Sequence, residues 1–105
     1  MLYIVYCEDD MRVSEEIRAR LREDHLAYIA RHEHLILLGG AMLDDDGETR
    51  IGSSLILNVP DRATAEDFSA GEPFRRAGLY SRVAISRMRR AQWNPAIAPS
   101  TQDGH

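Results

Sequence analysis

Apolar and polar positions along the chain divide it into short β segments and longer helical ones. Leu2 to Cys7 is wholly apolar and rich in Tyr, Ile and Val, so it predicts a strand that is buried on both faces. Leu35 to Leu38 is a second apolar run of this kind, and Ser53 to Val59 predicts a third strand. The turn-forming segment 44–47, with sequence DDDG, lies between these two runs and indicates a long hairpin.

A helical period follows the first strand. Four residues at spacings of four, four and three share one face: Ile17, Leu21, His25 and Tyr28. We expect Ser14 to cap this helix, because Glu15 and Glu16 then fall in its first turn. The helix is expected to end near Arg31 or His32.

A second helical region and a last strand complete the pattern. Thr64, with Asp67 three residues later, resembles a capping box and predicts a short helix. Pro73 suits the first position of a new helical turn, so Glu72 is expected to cap that turn. Leu79 to Met88 then predicts a fourth strand.

The resulting order, β-α-β-β-α-β, predicts an α+β ferredoxin-like fold with both helices on one face of an antiparallel sheet. The other face of this sheet would expose a large apolar surface, so we expect a homodimer with closed two-fold symmetry that packs sheet against sheet. A monomer whose strands merely carry excess Val and Ile is the alternative. Residues 1–93 are predicted to form the domain, and residues 94–105 a flexible tail.

Composition narrows the classes of function. A chain of 105 residues has room for one core. All 13 of its basic residues are Arg, which excludes lysine chemistry, and the net charge of -4 argues against a nucleic-acid partner. With Cys7 as the only cysteine and neither a signal peptide nor a membrane span in the pattern, we expect a cytoplasmic protein. Neither a G-x-G-x-x-G motif nor a P-loop occurs, and we expect no cofactor.

His25 is the candidate for chemistry, because it occupies an otherwise apolar helix face. Imidazole has an unperturbed pKa of about 6.5 and therefore suits acid or base catalysis near neutral pH. The alternative is a buried structural histidine. A metal site with His32 and His34 is not expected, because the spacings of seven and two do not give an i, i+4 pair.

Further candidates surround this histidine in the sequence. A carboxylate at Glu72 could orient an imidazole, although a plain helix cap explains it equally. Arg22 lies one turn before His25 and could bind a substrate carboxylate, or simply pair on the surface. Asp44 is the acidic hairpin residue nearest a strand end and could point into a cleft, the alternative being a solvated turn. Cys7 is expected to be a small buried residue rather than a nucleophile.

Several of these segments together resemble the YCII-related (YciI-like) family. The matching segments span residues 1–9 (MLYIVYCED), 22–28 (REDHLAY), 37–47 (LLGGAMLDDDG), 52–53 (GS), 71–74 (GEPF) and 77–79 (AGL). The resemblance covers about residues 1 to 90 and implies a dimer like the dimeric α/β barrels, with a site built on a histidine and an acidic residue. His25 matches the family histidine, and Glu72-Pro73-Phe74 stands where the family usually has Asp-Pro-aromatic.

These observations favour two functions. The first is a cofactor-free lyase or isomerase that acts on a small acidic or phenolic compound, with His25 and Glu72 as the catalytic dyad. We assign substrate contacts to the four residues Arg22, Asp44, Ser53 and Phe74. The second is a non-catalytic dimer that binds a small ligand or serves as an accessory subunit. An RNA-binding sheet is disfavoured by the charge and by the missing aromatic platform.

Overall fold

Four antiparallel strands form a sheet in the order β2-β3-β1-β4, and the helices cover one of its faces. The computed structural model describes residues 1–100. Its elements are β1 (Leu2–Asp9), α1 (Ser14–Arg31), β2 (Ile36–Leu43), β3 (Arg50–Asn58), α2 (Arg62–Gly71), α3 (Pro73–Arg76) and β4 (Tyr80–Met88). This order and strand arrangement confirm the predicted ferredoxin-like α+β fold.

The central strand β1 alternates strictly between the two faces of the sheet. Tyr3, Val5 and Cys7 are buried beneath the helices, where they pack with Phe68 of α2. Their neighbours Leu2, Ile4 and Tyr6 point to the opposite face and are only partly buried. The expectation that this strand is buried on both faces is therefore met on one face in the single chain.

The face without helices is largely apolar. Cross-strand pairing places six apolar residues on it, which together we call the open face: Leu2, Ile4, Tyr6, Leu38, Met42 and Ile56. Leu38 is the most exposed of these six residues, with 67% of its surface accessible to solvent. Strand β2, which the sequence predicts to be buried on both faces, is one of the two edge strands and is mostly exposed in the single chain.

Two predicted helix caps were wrong. Ser14 does not cap α1; its hydroxyl instead donates to Asp9 Oδ2 at 2.8 Å. Thr64 does not cap α2 either, because Asp61 takes that role and its Oδ1 accepts from both the amide and the hydroxyl of Thr64. A carboxylate in extended backbone just before the helix can reach these donors, whereas Thr64 already lies inside the first turn.

Helix α1 packs on the rest of the fold along one side. Near its start, Ile17 is buried against Phe74 and Leu79. Near its end, the hydroxyl of Tyr28 donates to the carbonyl of Phe68 at 2.7 Å. Only Ser14 and Ile17 are fully buried in this helix, and Leu21, Tyr28 and Ile29 pack against the core from partly buried positions.

The predicted boundaries hold for α1 but not for β2, which runs Ile36–Leu43 and not Leu35 to Leu38, because Gly39 and Gly40 stay paired with β3. Helix α1 ends at Arg31, as expected, and a short 3-10 helix, Glu33–Leu35, leads into β2. In the predicted tail, Pro95–Ser100 forms another 3-10 helix, while residues 101–105 lie outside the described residues. The boundary at residue 93 stays a prediction. No helix in residues 1–100 combines the length and apolar character needed to cross a membrane.

Candidate active site

A cavity of about 790 Å³ lies between the middle of α1 and the helix-covered face of the sheet. Apolar side chains, including Val5, Leu26, Ile29 and Leu55, form much of its wall. Its polar wall residues include Arg18, Arg22, His25, Ser53, Glu72 and Tyr80. This volume and this mixture of apolar walls with a few converging polar groups are typical of small-molecule sites.

His25 and Glu72 meet at this cavity, although 47 positions separate them in the sequence. The distance from His25 Nδ1 to Glu72 Oε1 is 2.5 Å. An ionised carboxylate can only accept hydrogen bonds, so Nδ1 carries the proton and donates it. This tautomer leaves Nε2 with a free lone pair, the form that can accept a proton.

The position of the carboxylate follows from the chain reversal between α2 and α3. Glu72 has extended backbone and is the predicted cap of α3: its Oε2 accepts from the amide of Arg75 at 3.1 Å. Pro73 occupies the first turn of α3, where no amide hydrogen is needed. One carboxylate oxygen therefore binds the helix and the other binds the imidazole, which leaves the Glu72 side chain little freedom.

Phe74 supports the imidazole from the side. Its ring stacks on that of His25 with centroids 4.1 Å apart and an interplanar angle of 13°. Phe74 is buried, with 3% of the residue exposed, so the ring that it presents to His25 is held by the core. The imidazole is thus fixed by one hydrogen bond and by one aromatic face.

A second polar group lies at the start of α1. Arg18 makes a bidentate ion pair with the buried Asp9, with Nε–Oδ2 and Nη2–Oδ1 distances of 2.7 and 3.0 Å. Its Nη2 also donates to the Gly52 carbonyl at 2.9 Å and to Ser53 Oγ at 3.3 Å. The Arg18 guanidinium lies over the ring of Phe74, 5.2 Å from the centroid, so the ion pair and the dyad share one aromatic neighbour.

Sequence reasoning missed Asp9, Arg18 and Tyr80. Tyr80 approaches the same group, with its hydroxyl 3.1 Å from Ser53 Oγ. The alternation of β1 was the signal that could have identified Asp9, because this residue continues the buried series of Tyr3, Val5 and Cys7. An acidic residue in such a position requires a partner, and arginines one and two turns into the following helix were the candidates.

The other predicted site residues differ in where they lie relative to the cavity. Ser53 and Phe74 line the cavity and are buried. Arg22 lines it from an exposed position on α1 and makes no hydrogen bond with residues 1–100. Asp44 is not part of the cavity wall: it lies in the hairpin turn, where its Oδ1 accepts from the amide of Asp45. The alternative of a solvated turn therefore describes Asp44.

Burial controls the ionisation of two further wall residues. It raises the pKa of the Cys7 thiol to about 12, with the nearby Glu72 carboxylate adding to the effect. The pKa of Tyr80 is likewise raised, mainly by burial. Both groups are therefore neutral near physiological pH, which agrees with the expectation that Cys7 is a small buried residue and not a nucleophile.

Within residues 1–100, no three or more His, Cys, Asp or Glu side chains come together in a way that could hold a metal ion. The two histidines that follow α1 have other contacts. His32 stacks on Tyr28 with centroids 4.1 Å apart, and its Nδ1 contacts the Tyr28 carbonyl.

Known proteins share this arrangement of strands and helices. One solved structure, 5-chloro-2-hydroxyhydroquinone dehydrochlorinase from Burkholderia phenoliruptrix AC1100 in complex with 2,5-dihydroxybenzoquinone, superimposes with a TM-score of 0.78. It is 26% identical in sequence, and the match covers 87% of this chain and 96% of that one. An antibiotic biosynthesis monooxygenase shares the fold alone, with a TM-score of 0.53 and 19% identity over 88% of this chain and 100% of that one.

Sequence comparison adds a relative and a family model to these structural neighbours. An uncharacterized protein of Haemophilus influenzae strain Rd is 28% identical over 92 residues, which are 81% of this chain and 93% of that protein. The model of the YCII-related domain matches residues 1–89, nearly all of the four-stranded fold. The chain therefore belongs to the YCII-related domain family, as its sequence motifs predicted.

Proposed function

We propose that this protein is a cofactor-independent lyase or isomerase in which His25 transfers a proton to or from a small acidic or phenolic compound. The observation that carries the proposal is the hydrogen bond of 2.5 Å between His25 Nδ1 and Glu72 Oε1 at the wall of a cavity of about 790 Å³. A base held in one tautomer by a carboxylate is the usual arrangement for proton abstraction.

The chemical step begins when His25 Nε2 takes a proton from a C–H or O–H group of the substrate. The electron pair left behind forms a new double bond and expels a leaving group as an anion, which gives a lyase. In an isomerase the pair is instead reprotonated at another carbon by the imidazolium. Glu72 stays ionised and stabilises the imidazolium that forms at His25, so it is a positioning residue in either case.

The substrate class follows from the cavity wall and from the structural neighbour. Apolar side chains suit an aromatic or unsaturated body, and the exposed Arg22 at the wall suits a carboxylate or phenolate at its edge. The neighbour is named as a dehydrochlorinase of a chlorinated hydroxyhydroquinone, and loss of hydrogen chloride from such a ring is an elimination of the proposed kind.

A substrate panel tests the proposal. Small hydroxylated aromatic compounds, chlorinated and unchlorinated, and small carboxylic acids would be incubated with wild type and with His25→Ala. We expect turnover by wild type that falls at least about a hundredfold in the variant, within the range of one acid–base group. His34→Ala is the matched control, since His34 is exposed beyond the end of α1.

Equal turnover by wild type and His25→Ala would contradict the catalytic role. Binding of a panel compound by both proteins, without turnover by either, would instead support the alternative of a ligand-binding module. The two functions are separated because the first requires a base and the second requires only the cavity.

We also propose that the functional unit is a homodimer formed through the open face. Leu2, Ile4 and Tyr6 of β1 lie at the centre of this face, and Leu38 and Ile56 extend it towards the β2 edge. A second copy presents the same apolar surface, so a two-fold axis would pair the two faces without any further element. Burial of this area is favourable at about 25 cal/mol per Å² of apolar surface.

A further inference from the structure

We infer that Ser53 Oγ is a hydrogen-bond donor for an anionic oxygen of the ligand, such as a phenolate or an enolate, and that Arg18 and Tyr80 prepare it for that role. The ligand chemistry named here rests on the proposed function. Ser53, Arg18 and Tyr80 together have more hydroxyl hydrogens than acceptors for them.

Ser53 has one hydroxyl hydrogen and two lone pairs. One lone pair faces Arg18, because a guanidinium can only donate and its Nη2 lies 3.3 Å from Ser53 Oγ. This is the longest of three contacts that share the two Nη2 hydrogens, the others being to Asp9 Oδ1 and the Gly52 carbonyl. The hydroxyl of Tyr80 is 3.1 Å from the same oxygen. Ser53 and Tyr80 thus have two hydroxyl hydrogens but only one hydrogen bond between them.

One hydroxyl hydrogen is therefore left over, whichever residue donates to the other. Neither hydroxyl donates to any other group among the described residues, and both residues line the cavity. A phenol is the stronger donor and an aliphatic hydroxyl the stronger acceptor, so Tyr80 donates and Ser53 keeps the free hydrogen. The acceptor that this hydrogen lacks in the protein is one that a ligand in the cavity can supply.

Arg18 makes the site favourable for negative charge. Its pairing with Asp9 uses Nε and Nη2, whereas Nη1 makes no hydrogen bond with the described residues. Among those residues no fully buried polar side-chain atom lacks a partner, so Nη1 must reach solvent, and Arg18 belongs to the cavity wall. The guanidinium also withdraws electron density from Ser53 Oγ, which strengthens the hydroxyl as a donor.

Ser53, with Arg18 and Tyr80 beside it, complements the dyad of His25 and Glu72 chemically. When a proton leaves the substrate for His25, negative charge develops on a conjugated substrate oxygen, and a preorganised donor stabilises that charge. The cavity would then hold a base and an oxyanion donor, each on a side chain that the fold fixes. Ser53 is the donor to the ligand, and Tyr80 is a positioning residue that acts through Ser53.

Two probes of similar shape test the inference. 4-Nitrophenolate carries an anionic oxygen, and 4-nitroanisole carries a methylated neutral one, so calorimetric titration of both isolates the contribution of the charge. At a pH at which the free phenol is ionised, we expect Ser53→Ala to weaken 4-nitrophenolate binding about tenfold or more. Binding of 4-nitroanisole should change little.

Three further variants complete the design. Ser53→Thr keeps the hydroxyl and should restore most of the affinity. Tyr80→Phe removes only the donor to Ser53 and should give a smaller loss than Ser53→Ala. Ser54→Ala is the matched control, because Ser54 is the neighbouring residue and pairs with Tyr6 on the opposite face of the sheet.

Equal affinity of wild type and Ser53→Ala for 4-nitrophenolate would overturn the inference, as would an equal loss for both probes. A larger loss in Tyr80→Phe than in Ser53→Ala would overturn the assignment of the donor to Ser53. His25→Ala distinguishes this inference from the proposed function, because it should lower turnover at least about a hundredfold and still bind 4-nitrophenolate.

Discussion

The Glu72 carboxylate accepts the Nδ1 hydrogen of His25 through one oxygen and caps α3 through the other. The same side chain therefore determines both the tautomer of the imidazole and the start of the helix that carries Phe74. Orientation of the ring is part of the local fold, and it does not depend on a bound ligand. This relationship makes the dyad testable by methods that need no substrate.

Glu72→Gln should shift the tautomer of His25. In the variant an NH₂ group replaces one of the two carboxylate oxygens, so the side chain can no longer accept from the imidazole at one position and from the Arg75 amide at the other. Nitrogen NMR of the imidazole should show Nδ1 protonated in wild type and a mixture of tautomers in the variant. Glu66→Gln is the control, since this carboxylate is exposed and pairs with Arg62. Unchanged imidazole shifts in Glu72→Gln would contradict the assigned dyad geometry.

Asp9→Asn should be strongly destabilising. The Asp9 side chain is fully buried and that of Arg18 is 12% exposed, so loss of the carboxylate leaves a guanidinium without its counter-charge. The expected cost is about 3 kcal/mol of unfolding free energy, measured by urea denaturation. Glu16→Gln breaks the exposed pair with Arg20 and should cost far less. Equal costs for the two variants would contradict the buried character of the Asp9–Arg18 pair.

Stability should fall between about pH 9 and pH 12 because of Cys7. Its pKa is raised from 9.0 to about 12 in the fold, so in this interval the folded thiol keeps a proton that the unfolded thiol releases. The free energy of unfolding then decreases by about 1.4 kcal/mol for each pH unit, and the contribution is fully present below pH 9. Cys7→Ala should remove this fall between pH 9 and pH 10 and reduce its slope above pH 10, where Tyr80, whose pKa is also raised by burial, adds a fall of its own. An identical slope in the variant would show that the thiol does not cause it.

Leu38→Glu should weaken self-association without unfolding the chain. Leu38 is 67% exposed in the single chain, so a charge there costs little in the monomer but would be buried in a sheet-to-sheet dimer. Sedimentation at micromolar concentration should show a dimer for wild type and a monomer for the variant. Met11→Glu is the control, because Met11 is 54% exposed in the turn before α1, away from the open face. A monomeric wild type would refute the dimer.

The fold could be predicted from the sequence because the patterns that define its elements depend on residues that are close together in the chain. The two-residue period of β1 and the turn at 44–47 depend on neighbouring residues, and so does the cap at Glu72. The Asp9–Arg18 pair was missed because a carboxylate at a strand end favours a turn unless its partner is known. His25 and Glu72 were each recognised, but their contact depends on how α1 packs beside α3, which no local period specifies.

The cavity beside α1 has a thermodynamic consequence. Beneath the middle of this helix the fold has a cavity where most domains have core side chains, so a bound ligand supplies packing that the sequence does not. Ligand affinity and fold stability are then linked quantities: a ligand at a hundred times its dissociation constant adds about 2.7 kcal/mol to the free energy of unfolding. The melting temperature of this protein should therefore rise with any compound that binds the cavity, whether or not that compound is turned over.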